Sequence, residues 1–124
     1  MSVLAIEGLT KSFGGFVAVD GVSLSVAQGE MRGLIGSNGA GKSTLLHLIY
    51  GRLEPDRGTI RFGDVDVTTW PMIRRARRGM GLVVQVTSIF DRMTVLENLL
   101  MGALPKDPRR FGPPDQAEVV RILE

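Results

Sequence analysis

The sequence contains no cysteine. That excludes disulfide bridges and every cysteine-based zinc, iron–sulfur or redox site, and it agrees with a reducing compartment, the cytoplasm by default. Long hydrophobic runs are missing as well: no apolar stretch approaches the roughly 18 residues that a membrane-spanning helix needs. The N-terminus, Met1-Ser2-Val3-Leu4-Ala5-Ile6-Glu7, has neither the basic flank nor the apolar stretch of a secretion signal. The chain is therefore expected to be soluble by itself, with any membrane link running through a partner. Histidine occurs once, at His47, between leucines of a helical pattern, where a packing role is expected. A large charge excess is also absent, since 15 Lys and Arg against 13 Asp and Glu leave a net charge of +2. Four arginines nevertheless crowd into Arg74, Arg75, Arg77 and Arg78. With no aromatic residues interleaved for base stacking, that run is expected to be a solvated helix face, and no nucleic-acid partner is expected.

What the sequence has in quantity is glycine, 16 residues in 124. Several of them fall in Gly36-Ser37-Asn38-Gly39-Ala40-Gly41-Lys42-Ser43, which fits G-x-x-x-x-G-K-[ST] at every fixed position. Met31-Arg32-Gly33-Leu34-Ile35 before it predicts a short buried strand. Lys42 to Tyr50 after it predicts a helix with Leu45, Leu46 and Ile49 on the inner side. Strand, glycine loop and helix in this order make a phosphate cradle. Glycines let the backbone close around phosphate oxygens, and the helix N-terminus offers unpaired N–H groups and the positive end of its dipole. Lys42 supplies a full positive charge for the β- and γ-phosphates, and the Ser43 hydroxyl is placed to ligate Mg²⁺. The motif predicts binding of Mg²⁺ and a nucleoside triphosphate.

Upstream, Val3 to Leu9 and Phe16 to Val26 read as β-type runs of a small antiparallel sheet, broken at Gly14-Gly15 and at Asp20-Gly21. Phe13 and Phe16 straddle the Gly14-Gly15 turn, and one of the two rings is a candidate for stacking on a purine base. Asp20 is read as part of a turn with Gly21 and not as a Mg²⁺-orienting acid. Downstream, Gly51 is a left-handed helix stop, Glu54 to Gly58 a turn, Thr59 to Phe62 a strand, and Gly63-Asp64 a tight turn. Trp70 and Pro71 open a basic helix that stops at Gly79, and Met80 to Val84 predicts a buried strand ending at Gln85. Thr94 with Glu97 forms a capping-box pattern, and Asp115 with Glu118 starts a further helix.

The series of phosphate loop, strand ending in Gln85, loop Val86 to Arg92 and Met93-Thr94-Val95-Leu96-Glu97-Asn98-Leu99 resembles the first half of an ATP-binding-cassette ATPase. The phrasing Phe13-Gly14-Gly15-Phe16-Val17-Ala18-Val19 and Thr94-Val95-Leu96-Glu97-Asn98 is similar to the ATP-binding subunits of branched-chain amino-acid and related importers. The resemblance runs from about Val3 to Gly102, with departures at Ser37, where proline is usual, and at Val84, where an aromatic is usual.

The resemblance implies an α/β P-loop NTPase fold with an N-terminal antiparallel β subdomain. It assigns adenine stacking to Phe13, the phosphate cradle to Gly39 through Thr44, and contact with Mg²⁺ and the attacking water to Gln85. The partners implied are transmembrane permease subunits and a second ATPase subunit, at the inner face of the cell membrane, with the loop Val86 to Arg92 docking on the permease. After Gln85 the sequence shows no serine-glycine-glycine signature, no apolar run followed by Asp-Glu and no switch histidine. Residues 1–124 are accordingly expected to be the N-terminal part of one ATPase domain, able to bind ATP and not to turn it over alone. Two other readings stay open on the sequence: a P-loop kinase or GTPase, and a binding module without turnover.

Overall fold

The computed structural model describes residues 2–84 and 89–102. The chain divides into two compact units, residues 1–81 and 82–124.

In the first unit, β1 (Ser2–Phe13) and β2 (Phe16–Ala27) form a long hairpin closed by the Gly14-Gly15 turn, with Phe13 opposite Phe16. β3 (Arg57–Phe62) lies antiparallel on the other side of β1, pairing Ile6 with Ile60, and β4 (Val65–Asp66) turns back onto β3. The sheet order is β2-β1-β3-β4. Ile6 and Leu9 are three residues apart, yet both are buried, because a bulge between them resets the two-residue alternation of the strand. The amides displaced by such irregularities are recovered by hydroxyls: Gly8 N–H donates to Ser23 Oγ (2.8 Å) and Gly21 N–H to Thr10 Oγ1 (3.0 Å). Asp20-Gly21 is thus not a break, since β2 runs through it to Ala27.

Helix α1 (Lys42–Tyr50) lays Leu45 and Leu48 against Ile6, Leu9, Val19, Ile60 and Val67 to form the core of this unit, with Ile49, Leu53 and Trp70 partly buried around it. Full burial of a leucine contributes roughly 2 kcal/mol, which is what fastens the helix to the sheet. The inner side differs from the expected one: Leu48 is buried and Leu46 is 45% exposed. Residues three apart share a helix face and neighbours do not. Helix α2 (Met72–Arg77) follows Pro71, as the sequence predicts.

Two strand expectations are corrected. Met31 to Ile35 is not a strand, with Met31 and Ile35 98% and 96% exposed. Met80 to Val84 is likewise no strand, and Val83 is 97% exposed. An apolar run becomes a strand only where a neighbour accepts its ladder hydrogen bonds, and no described strand lies beside either segment.

The arginine run is corrected in one member. Arg75 is buried, while Arg74, Arg77 and Arg78 are exposed. Its guanidinium donates to four carbonyls: Leu48 (2.8 Å) and Ile49 (2.7 Å) through Nη1, Trp70 (2.9 Å) through Nε and Thr68 (2.9 Å) through Nη2. Two of these acceptors belong to the last turn of α1, so a cation stands at the negative end of that helix dipole. Burial lowers the Arg75 pKa, and Asp66 nearby opposes that. Gly51 makes room for this contact: it ends α1 at φ 86°, and a Cβ there would come within 2.8 Å of Arg75 Nε.

In the second unit, helix α3 (Val95–Gly102) begins with the capping box expected from Thr94 and Glu97. Thr94 N–H donates to Glu97 Oε2 (2.7 Å), and Glu97 N–H donates to Thr94 Oγ1 (3.2 Å). Asn98 ties the preceding turn to the helix, donating to the Thr94 carbonyl (2.9 Å) and accepting from Phe90 N–H (2.9 Å). The Thr94 backbone N–H first, and its hydroxyl second, hold Glu97 below the usual carboxylate range. A depressed carboxylate pKa contributes stability above the ordinary value and loses it as pH falls through the folded value. Acidification below about pH 4 should therefore fray the start of α3. Glu97→Gln should remove most of that pH dependence. Backbone chemical shifts of residues 94–98 against pH test this, and a wild-type α3 insensitive to acid would contradict it.

The expected loop Lys106 to Pro114 and the helix from Asp115 lie outside the described residues, as do Gln85, Val86, Thr87 and Ser88.

Candidate functional site

The site is built where β2 passes the start of α1. A cavity of about 310 Å³ is lined by Asn38, Gly39, Gly41, Lys42, Ser43 and Thr44 from the loop and helix, with Phe16 and Ala18 from β2. Among the described residues no acidic side chain lines it. The loop turns at Ser37, whose carbonyl accepts from Ala40 N–H (3.1 Å), and enters the helix through Gly41 at φ 89°. Both the left-handed φ and the space require glycine here, because a Cβ on Gly41 would overlap the Ala18 carbonyl oxygen. Gly36 is also confined: a Cβ there would meet Ala40 Cβ at 3.3 Å and Lys42 Cδ at 3.7 Å.

The first turn of α1 carries the binding chemistry. Gly41 offers no side-chain cap, and no acid stands in the first turn. The first intrahelical bond is Leu45 N–H to the Gly41 carbonyl (2.9 Å), so among the described residues the amides of Lys42, Ser43 and Thr44 have no backbone acceptor. Three amides pointing out of one helix end, at the positive pole of the dipole, form a site for an anion. Lys42 Nζ donates to the Gly36 carbonyl and to the Ser37 carbonyl (2.6 Å), which centres the ammonium under the loop and leaves its third proton for a phosphate oxygen. Ser43 presents its hydroxyl at the cavity wall.

The structure places Asn38, Gly39, Gly41, Lys42, Ser43 and Thr44 around one cavity, with the carbonyls of Gly36 and Ser37 accepting from the Lys42 ammonium. Phe13 sits at the end of β1, 48% exposed, with Lys11 Nζ 5.7 Å from its ring centroid, and it does not line the cavity. Phe16, its partner across the hairpin and 61% exposed, does line it. Ala18 is a contributor the sequence reading missed. Its role is carried by its backbone, and only the small size of residue 18 signals it. Gln85 lies outside the described residues.

Whether Mg²⁺ with a nucleoside triphosphate fits these residues is decided by the donors present. The unpaired amides and the ammonium suit phosphate oxygens. Among the described residues no group of three or more His, Cys, Asp or Glu could hold a metal by itself. That suits Mg²⁺, which keeps several waters and is commonly held by one or two protein oxygens together with substrate phosphates. Ser43, Thr44 and Asn38 bring side-chain oxygens to the cavity lining, and Ser43 is the one the motif assigns to the metal.

A family model described as ABC transporter matches residues 19–124. The chain belongs to the ABC transporter family. Its resemblance to that family's ATP-binding subunits is borne out. It is 42% identical to the ribose import ATP-binding protein RbsA 1 of Rhizobium meliloti over 88% of its own length and 21% of that protein's. It is 40% identical to the phosphonates import ATP-binding protein PhnC 1 of Rhodopseudomonas palustris over 98% and 48%. With the lipopolysaccharide export system ATP-binding protein LptB of Escherichia coli K12 it shares 42% identity over 81% and 42%. Among solved structures, the ADP conformation of MJ1267, an ATP-binding cassette of an ABC transporter, superposes with a TM-score of 0.79 at 38% identity, covering 98% of this chain and 50% of that one.

The α/β ABC ATPase fold with its N-terminal antiparallel sheet is therefore confirmed. The ABC chain spans about half or less of the length of these relatives. Their substrates range from a sugar to phosphonates and lipopolysaccharide, so the family is carried by the comparison and the amino-acid subgroup is not. No described helix is long and apolar enough to cross a membrane.

Proposed function

We propose that this chain binds Mg-ATP at the loop Gly36–Thr44, as part of an ABC transporter ATPase subunit that powers movement of a substrate through separate transmembrane permease subunits. The observation that carries the reading is that, among the described residues, the amides of Lys42, Ser43 and Thr44 have no backbone acceptor while the Lys42 ammonium is held to the carbonyls of the same loop. The amides of the α1 N-terminus hold the triphosphate in place. Lys42 neutralises charge on the β- and γ-phosphates, where negative charge builds as the terminal phosphoryl group leaves. Ser43, with Gln85, would hold Mg²⁺, which when bound would supply positive charge against the phosphates.

Adenine stacks on the ring of Phe13 at the hairpin tip. A second ATPase subunit completes the catalytic face, and the segment Val86 to Arg92 meets the permease. Within that segment Ile89 and Phe90 are 62% and 54% exposed, as a docking surface requires. The subunit works at the cytoplasmic face of the cell membrane. Import of an amino acid or a related small solute is the transport proposed, supported by the phrasing of residues 13–19 and 94–98.

Titrating a fluorescent ATP analogue with and without Mg²⁺ tests the site. Wild type should bind more tightly with Mg²⁺. Ser43→Ala should lose about tenfold in the Mg²⁺-supported affinity, or ~1.4 kcal/mol, while Mg²⁺-free binding is retained. Equal affinities with and without the metal in the wild type would sink the assignment of Ser43.

A further inference from the structure

β1 is longer than its partner on one side. Its ladder with β3 stops at Thr10 opposite Arg57, so Lys11, Ser12 and Phe13 overhang that edge, held by β2 alone. Asp56, the residue before β3, fills the gap with its side chain. Its Oδ2 accepts from Ser12 N–H (2.7 Å), in place of the missing strand, and its Oδ1 accepts from Lys11 Nζ (3.1 Å). Its own N–H donates to the Thr10 carbonyl (2.9 Å), which fixes the carboxylate against the strand. Lys11, held in this way, lies 5.7 Å from the Phe13 ring centroid.

We propose that Asp56 is a positioning residue for the nucleotide base: it locks the overhanging end of β1 so that Phe13 presents one defined face to adenine. The proposal rests on the reading that Phe13 is the base-stacking ring. The Lys11 ammonium occupies one face of that ring, so the base takes the other. A stacking contact needs the ring plane fixed before the ligand arrives, because ordering it on binding costs affinity. The Ser12 bond fixes the backbone one residue before Phe13, and the Lys11 bond fixes the group over the ring. Both run through one carboxylate, 44 and 45 residues away in sequence. The Ser12 N–H first, and Lys11 second, hold Asp56 below the usual carboxylate range, so the charged form is the one present at neutral pH.

The test compares Mg-ATP with magnesium tripolyphosphate, which has the phosphates and no base, on the 124-residue chain. Asp56→Ala should weaken Mg-ATP by about threefold to tenfold, the range of a lost aromatic stack, and leave tripolyphosphate unchanged. Asp56→Asn keeps an acceptor for Ser12 N–H and should lose less. Asp56→Ala combined with Phe13→Ala should bind Mg-ATP no worse than Phe13→Ala alone, because one residue acts through the other. Equal weakening of both ligands by Asp56→Ala and Asp56→Asn would show a merely structural role and overturn the proposal, as would full additivity with Phe13→Ala. If Phe13→Ala weakens Mg-ATP and Asp56→Ala does not, the positioning role alone fails. If Phe13→Ala has no effect and Phe16→Ala does, the choice of ring fails and takes this proposal with it.

Discussion

Replacing Lys42 by alanine is expected to lower Mg-ATP affinity by about 100-fold, or ~3 kcal/mol, while affinity for adenosine monophosphate stays within about twofold. The size follows from what Lys42 contacts. Among the described residues it is the only cation lining the cavity, and hydrogen bonds to a charged partner are worth about 1.5–3 kcal/mol each. The same ammonium is bonded to the carbonyls of Gly36 and Ser37, so its loss also releases the two ends of the loop from one another. Adenosine monophosphate lacks the β- and γ-phosphates and should not register the change. Lys42→Arg should also fail, because a planar fork does not fit between two carbonyls shaped for a compact ammonium. Equilibrium binding of the two nucleotides to wild type and both variants is the measurement. Unchanged Mg-ATP affinity in Lys42→Ala would remove the basis for the phosphate-loop assignment.

The second large effect is on stability. Arg75→Ala is expected to destabilise the chain by about 2–4 kcal/mol, read as a lower midpoint of chemical denaturation. The guanidinium satisfies four carbonyls at once, on α1, on the approach to α2 and at Thr68, and truncation takes the donor from those of Ile49, Trp70 and Thr68, while Leu48 keeps Gly51 N–H. The cost is partly offset because a desolvated charge is also removed. Arg75→Lys should recover little, since one ammonium cannot span the same acceptors. Arg74→Ala and Arg77→Ala, at exposed positions of the same helix, should stay within about 0.5 kcal/mol of wild type. If all three alanine variants behaved alike, the run would be a solvated face throughout and the staple would be illusory.

The contrast between the loop and Arg75 shows what the sequence could disclose. Gly36 to Ser43 was legible because the motif states backbone requirements residue by residue: a left-handed Gly41, a lysine after it, a hydroxyl next. The hairpin, the Gly51 stop and the Thr94–Glu97 capping box were legible for the same reason, each resting on contacts within a few residues. Arg75 was not. Its partners are carbonyls of Leu48 and Ile49, 27 and 26 residues away, and a carbonyl has no letter in a sequence. Met31 to Ile35 and Met80 to Val84 were misread because an apolar run gives propensity, whereas a strand is a property of a pair. Leu46 and Leu48 are exchanged because α1 is short, and nine residues leave its apolar stripe loosely defined. Phe13 and Phe16 are partners across the hairpin and share a face, and Phe16 is the one that lines the cavity because its strand, β2, is the one that passes the loop.

In the proposed function the amides at the start of α1 grip the triphosphate. The measurement that tests this most directly is a titration of the isotope-labelled chain with Mg-ATP, following backbone amide resonances one by one. The account predicts saturable shifts concentrated at Gly39, Gly41, Lys42, Ser43 and Thr44, absent with adenosine and reproduced by tripolyphosphate. Saturable binding of Mg-ATP that leaves those five amides unmoved would contradict it.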